Sequence, residues 1–234
     1  MNKEELIKAL AELNIQLTET KWNQLQSYQK LLAEWNQVMN LTGITDPEGV
    51  NLKHYYDSAT LVKAIPISPS IKICDIGTGA GFPGLVLKIL FPEIEVVLVD
   101  SLEKRLKFLD HVIEQLELTN IKTVHARAEE YARDHRDQFD VVTTRAVAKL
   151  NILVEYCIPL VKQGGIFVAM KGKLGEEKDQ SINAIQQVGS KIESIISFKL
   201  PKEESERNLV IVRKKEPTNK KFPRRFEQIK KKPL

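Results

Sequence analysis

From Ile71 onward the chain alternates between two hydrophobic periods, and this alternation leaves it few folds to choose from. Short Val/Ile-rich runs at 71–76, 95–100, 121–126, 139–144 and 165–170 fit strands. Intervening stretches at 82–91, 102–118 and 149–162 carry apolar residues at helical spacing. Strand and helix in alternation give βαβ units and a mainly parallel sheet covered on both faces. A further helix is expected at about 175–189. The runs 191–200 and 207–213 then follow one another across Pro201 to Glu206, with no room for a crossover helix, so they should form an antiparallel hairpin at one edge. The expected fold class is α/β, with a seven-stranded, mostly parallel sheet ending in that hairpin.

Before the first strand, residues 3–14 and 20–39 place apolar side chains at helical spacing, among them Trp22, Leu25, Leu32, Trp35 and Met39. These define an N-terminal helical appendage over 1–65, ahead of a main domain over 66–213. The last segment, 214–234, holds nine Lys/Arg against two Glu, a net +7 where the whole chain has +4, so the rest of the chain is net acidic. With Pro217, Pro223 and Pro233 among these charges and few large apolar residues, it reads as a basic flexible tail. Lys3, Glu4, Glu5 and Lys8 interrupt the start of the chain, and no apolar run approaches the ~20 residues of a membrane span. Cys74 and Cys157 lie in apolar stretches and read as buried thiols, with no zinc site or disulfide framework. A monomer in the reducing cytoplasm, without membrane or metal, is expected.

The first strand runs directly into Asp75-Ile76-Gly77-Thr78-Gly79-Ala80-Gly81-Phe82-Pro83-Gly84, and an amphipathic helix with Leu85, Leu87 and Leu90 follows. Strand, glycine turn and helix form a nucleotide-site context, because glycine lets the backbone pass close to a ligand with positive φ. Gly79 to Gly84 also matches the dinucleotide pattern G-x-G-x-x-G, a weak signal alone. Two features favour S-adenosylmethionine instead. A carboxylate at Asp75 would repel a pyrophosphate and favour an ammonium and a sulfonium, and the glycines counted from Asp75 follow D-x-G-x-G-x-G. The second strand ends at Asp100, where an acidic residue accepts hydrogen bonds from ribose hydroxyls; capping of the next helix is the plainer alternative. Arg127-Ala128-Glu129-Glu130 follows the third strand, Arg145 closes the fourth and Lys171 the fifth, so all gather at the carboxyl edge of the sheet. Glu129 reads equally as a solvated carboxylate at a helix start.

Trp35-Asn36, Asn40-Leu41-Thr42, His54, Asp57-Ser58, Gly81-Phe82-Pro83-Gly84, Val99-Asp100-Ser101, Lys104-Arg105, Phe108-Leu109, Arg127-Ala128-Glu129, Arg145-Ala146-Val147-Ala148 and Lys171-Gly172 together carry a resemblance. Over nearly its whole length the chain resembles the bacterial small-subunit ribosomal RNA guanine-N7 methyltransferases, the ribosomal RNA small subunit methyltransferase G family, also called glucose-inhibited division protein B. The resemblance implies a Rossmann-like class I S-adenosylmethionine-dependent methyltransferase fold. It implies cofactor contacts at Gly77, Phe82, Ala128, Glu129 and Arg145, beside the Gly79 and Asp100 already singled out. It also implies methylation of one guanine in 16S rRNA of the small ribosomal subunit. The family's tail resembles Tyr-Pro-Arg followed by a Gly/Pro-rich basic stretch; Phe222-Pro223-Arg224-Arg225 matches this, whereas Phe226-Glu227-Gln228-Ile229 departs from it.

Methyl transfer from a sulfonium is an in-line displacement that needs mainly alignment. Guanine N7 offers a lone pair and carries no proton, so no obligatory catalytic acid or base is expected. His54, Asp57 and Lys171 are then candidates for holding the base or phosphates, with capping or packing as the bland alternative for the first two. Arg224 and Arg225 are candidates for RNA phosphates, which would make binding salt-dependent. Three rival readings stand beside this one. The first is a methyltransferase for a different RNA, a protein or a small molecule. The second is a dinucleotide-dependent oxidoreductase, disfavoured by Asp75. The third is a non-catalytic RNA-binding module, disfavoured by the intact glycine loop.

Overall fold

The computed structural model describes residues 1–145 and 148–234. Ala146 and Val147, part of the Arg145-to-Ala148 motif, lie outside the described residues. Helices α1 (Lys3–Glu12) and α2 (Glu19–Met39) come first, each opened by a polar cap. Asn2 and Glu5 form a capping box, and Thr18 accepts from the Lys21 amide. Asn40 ends α2 in the left-handed conformation at φ 49°, which Asn tolerates better than most residues. A broken helical stretch follows: α3 (Pro47–Val50), a π-helical turn (Asn51–Tyr56), α4 (Asp57–Ala59) and a 3-10 turn (Thr60–Lys63).

The sheet is built from β1 (Lys72–Ile76), β2 (Glu95–Asp100), β3 (Ile121–His125), β4 (Phe139–Arg145), β5 (Val161–Lys171), β6 (Ser190–Lys199) and β7 (Glu206–Lys214), in the order β3-β2-β1-β4-β5-β7-β6. The first five are parallel. β7 pairs antiparallel with both β5 and β6, so the expected hairpin forms the edge. Helices α5 (Gly84–Leu90), α6 (Glu103–Gln115), α7 (Ala128–Asp134), α8 (Leu150–Cys157) and α9 (Glu177–Gln187) cover the two faces, and α10 (Phe226–Lys231) closes the chain. The strand order reverses between β1 and β4, and open α/β sheets bind ligands at such a switch point.

Three local differences from the sequence reading have physical causes. The helix expected over 149–162 stops at Cys157, because Pro159 cannot donate to the ladder and turns the next residues into a 3-10 step, Ile158–Leu160. The short α7 was read only as a helix start at Glu129, without an extent, because it offers little apolar periodicity beyond Tyr131 and Ala132. The segment 214–234, expected to be flexible and unpacked, instead packs against the helices on one face of the sheet. Phe222 and Ile229 are buried, Arg136 donates to the carbonyls of Thr218 and Phe222, and Lys214 is buried with its ammonium on the carbonyls of Ile158 and Val161.

Two apolar cores sandwich the sheet. One gathers α1, α2 and the residues around Tyr55 with α5 and α6, so the N-terminal helices share a core with the sheet. The other gathers α7, α8 and α9 with Phe222 and Ile229 of the C-terminal segment. Both flanks therefore end near the carboxyl edge of the central strands, from opposite faces.

Candidate active site

A cavity of about 490 Å³ opens at the switch point, within the size range of small-molecule sites. Its floor is the glycine turn. The Gly77 and Thr78 amides donate to the Val99 carbonyl at 2.8 and 3.1 Å, tying the turn to the end of β2. Gly79 has φ 60° and nothing within 4 Å of where a Cβ would stand, so the backbone leaves open space over the cavity, as the glycine spacing implied. Gly81 is glycine for packing: a Cβ there would lie 2.8 Å from the Tyr28 hydroxyl and 2.9 Å from Leu109. The Tyr28 hydroxyl, fully buried, donates to the Ala80 carbonyl and so fixes the middle of the turn from α2.

Asp75 does not do what its position suggested. It is fully buried and absent from the cavity lining, with Oδ2 accepting from the Gly84 amide at 2.9 Å and from the Thr78 hydroxyl at 2.8 Å. It braces the turn from behind, so its charge does not select the ligand by contact. Burial raises its pKa to about 6 despite these two donors. The carboxylates that line the cavity are Asp100 and Glu129. Asp100 accepts from the Gly79 amide at 2.9 Å, from Leu102 at 2.9 Å and from Arg105 at 3.3 Å, so it both caps the approach to α6 and faces the cavity. Glu129 is buried rather than solvated, and accepts from Arg127 Nε at 2.6 Å.

On the β4 side, Arg145 is the hub of a buried network. Its guanidinium donates to the Lys53 carbonyl at 2.9 Å, to Asp57 at 3.2 Å and to His54 Nδ1 at 3.2 Å, and lies 5.0 Å from the Phe82 ring centroid. His54 stacks on Phe82 at 4.2 Å and contacts the Thr42 hydroxyl through Nε2 at 2.8 Å. Burial, reinforced by Arg145, lowers its pKa to about 3, so the ring is neutral at pH 7. Thr42 reaches the cavity because the Asn36 side chain clamps its backbone on both sides, at 2.8 and 3.0 Å.

Of the residues expected at the site, Gly77, Gly79, Phe82, Asp100, Ala128, Glu129, Arg145 and His54 line one cavity. Asp57 is not part of the cavity lining; one of its oxygens is on Arg145 and the other on Arg207 at 3.0 Å, so it orients Arg145. Lys171 is at the carboxyl edge but outside the cavity, held by Glu177 at 2.7 Å and the Ala148 carbonyl at 2.6 Å. Arg224 is bound to Glu155 by its amide, Nε and Nη2 at 2.9, 2.8 and 2.7 Å, which removes it as a free phosphate contact; Arg225 is exposed. The sequence reading did not single out Tyr28 or Tyr156, used Thr42 only to carry the resemblance, and noted Phe226 only as a departure from the family's tail. For the last, the signal was Glu155, a single carboxylate amid Leu153, Val154, Tyr156 and Cys157 that needs a cationic partner when buried.

A family model described as rRNA small subunit methyltransferase G matches residues 21–210. The chain belongs to this family. A ribosomal RNA small subunit methyltransferase G of Lysinibacillus sphaericus is 49% identical over 228 residues, covering 96% of each chain. One from Staphylococcus carnosus is 45% identical over 238 residues, covering 100% of this chain and 99% of its own. The fold is also that of an S-adenosylmethionine-dependent methyltransferase from Aquifex aeolicus, at TM-score 0.53 and 14% identity, covering 71% of this chain and 93% of that one. The family uses S-adenosylmethionine, and the cavity suits it. Gly79 leaves room where any other residue would intrude, and Asp100 and Glu129 offer acceptors for the hydroxyl and N–H donors of such a ligand. Among the described residues no helix is long and apolar enough to cross a membrane, and no cluster of three or more His, Cys, Asp or Glu is arranged to hold a metal.

Proposed function

We propose that this protein transfers a methyl group from S-adenosylmethionine to N7 of a single guanine in 16S rRNA, acting as a monomer in the cytoplasm on the small ribosomal subunit. The observation that carries the reading is the cavity at the β1/β4 switch point in a member of this family, floored by the glycine turn and walled by Asp100, Glu129 and Arg145. The bound cofactor supplies a methyl group already activated by the positive sulfur. The protein's part is alignment. Gly77 to Gly81 fix the floor, Asp100 and Glu129 accept from the ligand's donors, and Phe82 with neutral His54 forms a flat wall beside Arg145. N7 needs no proton removed, and the neutral His54, occupied by Thr42 and Arg145, fits a holding role.

The test is incubation with methyl-tritiated S-adenosylmethionine and small subunits lacking the modification, followed by nuclease mapping. Label is expected as 7-methylguanosine at one site. It should vanish in Gly77→Asp, which places a side chain at a backbone φ of 69° against the cavity. Cofactor binding with no label in RNA would keep the fold and overturn the substrate.

A further inference from the structure

The C-terminal segment carries a side chain into the cavity at residues where it departs from the family's tail pattern. Phe226, at the start of α10, is half-buried and lines the cavity with Ala126, Arg127, Ala128 and Tyr156. Its ring is set from both directions. The Arg127 guanidinium lies 3.8 Å from the ring centroid and is itself held by Glu129 at 2.6 Å. Behind it, Arg224 grips the fully buried Glu155, and Phe222 and Ile229 are buried against α7 and α8. A charged tail with no task at the cavity does not require this anchorage.

We infer that Phe226 is a cofactor-binding residue of this chain, forming an aromatic wall for the purine ring of S-adenosylmethionine; this rests on the methyltransferase reading above. The two ends of the cavity differ in chemistry. At the β4 end stand Arg145, His54 and Thr42, which suit a charged or hydrogen-bonding group. At the β3 end stand Ala126, Ala128, Tyr156 and Phe226, with Arg127 and Glu129 paired to one another, which suits a flat heteroaromatic ring with an N–H donor at its edge. Asp100 lies between them at the end of β2, the position for a ribose that joins the two. Aromatic walls stack any purine face without needing its edges, and the Arg127 pair fixes the ring before the ligand arrives.

Calorimetric titration with S-adenosylmethionine and with adenosine, which shares only the purine and ribose, tests this in the full chain. Phe226→Ala should weaken both by the same factor, about tenfold for the loss of one stacked ring. Phe226→Tyr should bind like the parent, and Phe226→Leu, which keeps apolar bulk without a ring, should fall between. Phe226→Trp gives a spectroscopic readout: its emission above that of Trp22 and Trp35 should be quenched by adenosine. Unchanged adenosine affinity in Phe226→Ala, together with a raised KM for small subunits, would overturn the inference and assign the ring to RNA. A parent chain that binds neither ligand would overturn the methyltransferase reading itself, and this inference with it.

Discussion

The two flanks of the sheet reach the same cavity by different means. Residues 1–65 bury Leu6, Leu10, Leu25, Tyr28 and Leu32 in the core that holds α5 and α6, and they deliver Thr42 and His54 to the cavity through a continuous packed surface. At roughly 2 kcal/mol for each buried side chain, that is on the order of 10 kcal/mol. The segment 214–234 buries two large apolar side chains, Phe222 and Ile229, for roughly 4 kcal/mol on the same scale, and depends on Arg224 and Glu155 to deliver Phe226. The first flank should therefore unfold with the sheet, and the second should be able to leave without it.

The largest effect is expected on the N-terminal side. Asp57→Ala strips the carboxylate from two cations, Arg145 and Arg207, and should destabilise the whole chain by about 3–5 kcal/mol. Denaturant unfolding should show one cooperative transition at a lower midpoint. Two transitions, with the sheet unmoved, would break the claim that this flank and the sheet are one unit.

Acid sharpens the same comparison, because the N-terminal flank contributes one of two opposed titrations. His54, facing Arg145 and Lys53, is depressed to about 3, so its contribution is present above ~6.5 and lost as pH falls toward 3. Asp75, facing Arg145 and Asp100, is raised to about 6, so its contribution is present below ~4 and lost as pH rises through 6. Between pH 4 and 6 the two offset one another. Asp75→Asn should expose a loss of stability on acidification, and His54→Asn should turn it into a gain, each changing the profile by about 3 kcal/mol. Parallel profiles for parent and both variants, from urea unfolding at pH 4, 5, 6 and 7, would contradict both shifts.

The fold was legible because hydrophobic period is a property of the chain: period two and period 3.6 alternate from Ile71, and the short link after Pro201 leaves only a hairpin. Most of the cavity was legible for the same reason, since strand ends converge on one edge. Asp75 was misread because sequence places a carboxylate at a strand end without saying which way the last pleat points it; here it turns to Gly84 and Thr78 behind the turn. The C-terminal segment was misread because charge density suggested solvation, while its anchors, Phe222, Ile229 and the partner of Glu155, are too sparse to register as a pattern. Tyr28 carried no sequence signal of a role at the site, because its hydroxyl contact with Ala80 lies 52 residues away in sequence.

On the C-terminal side, Arg224→Ala should cost the parent about 2 kcal/mol, less than Asp57→Ala, because the freed segment lets water reach Glu155 instead of leaving it buried and unpaired. Limited proteolysis should cut within 214–234 while residues 1–213 stay resistant. Global unfolding at the same midpoint shift as Asp57→Ala would erase the distinction between the flanks.

The smallest effect tests whether the N-terminal flank shapes the cavity or only supports it. Tyr28→Phe removes one hydroxyl and keeps the ring that packs near Tyr55, Phe82 and Phe108, so apolar burial is unchanged and only the donor to the Ala80 carbonyl is lost. That bond is worth about 1 kcal/mol, plus the cost of a buried carbonyl left without its partner. Ala80 lies between Gly79 and Gly81, both at positive φ, so a carbonyl free to rotate would loosen the floor directly under the ligand. A fall in S-adenosylmethionine affinity of about threefold, beyond what a ~1 kcal/mol change in global stability produces in a fully folded protein, would show that α2 sets the geometry of the turn. Unchanged affinity with lowered stability would mean that the glycine turn holds its shape through Asp75, Asp100 and Val99 alone, and that the N-terminal flank serves the site only as a wall.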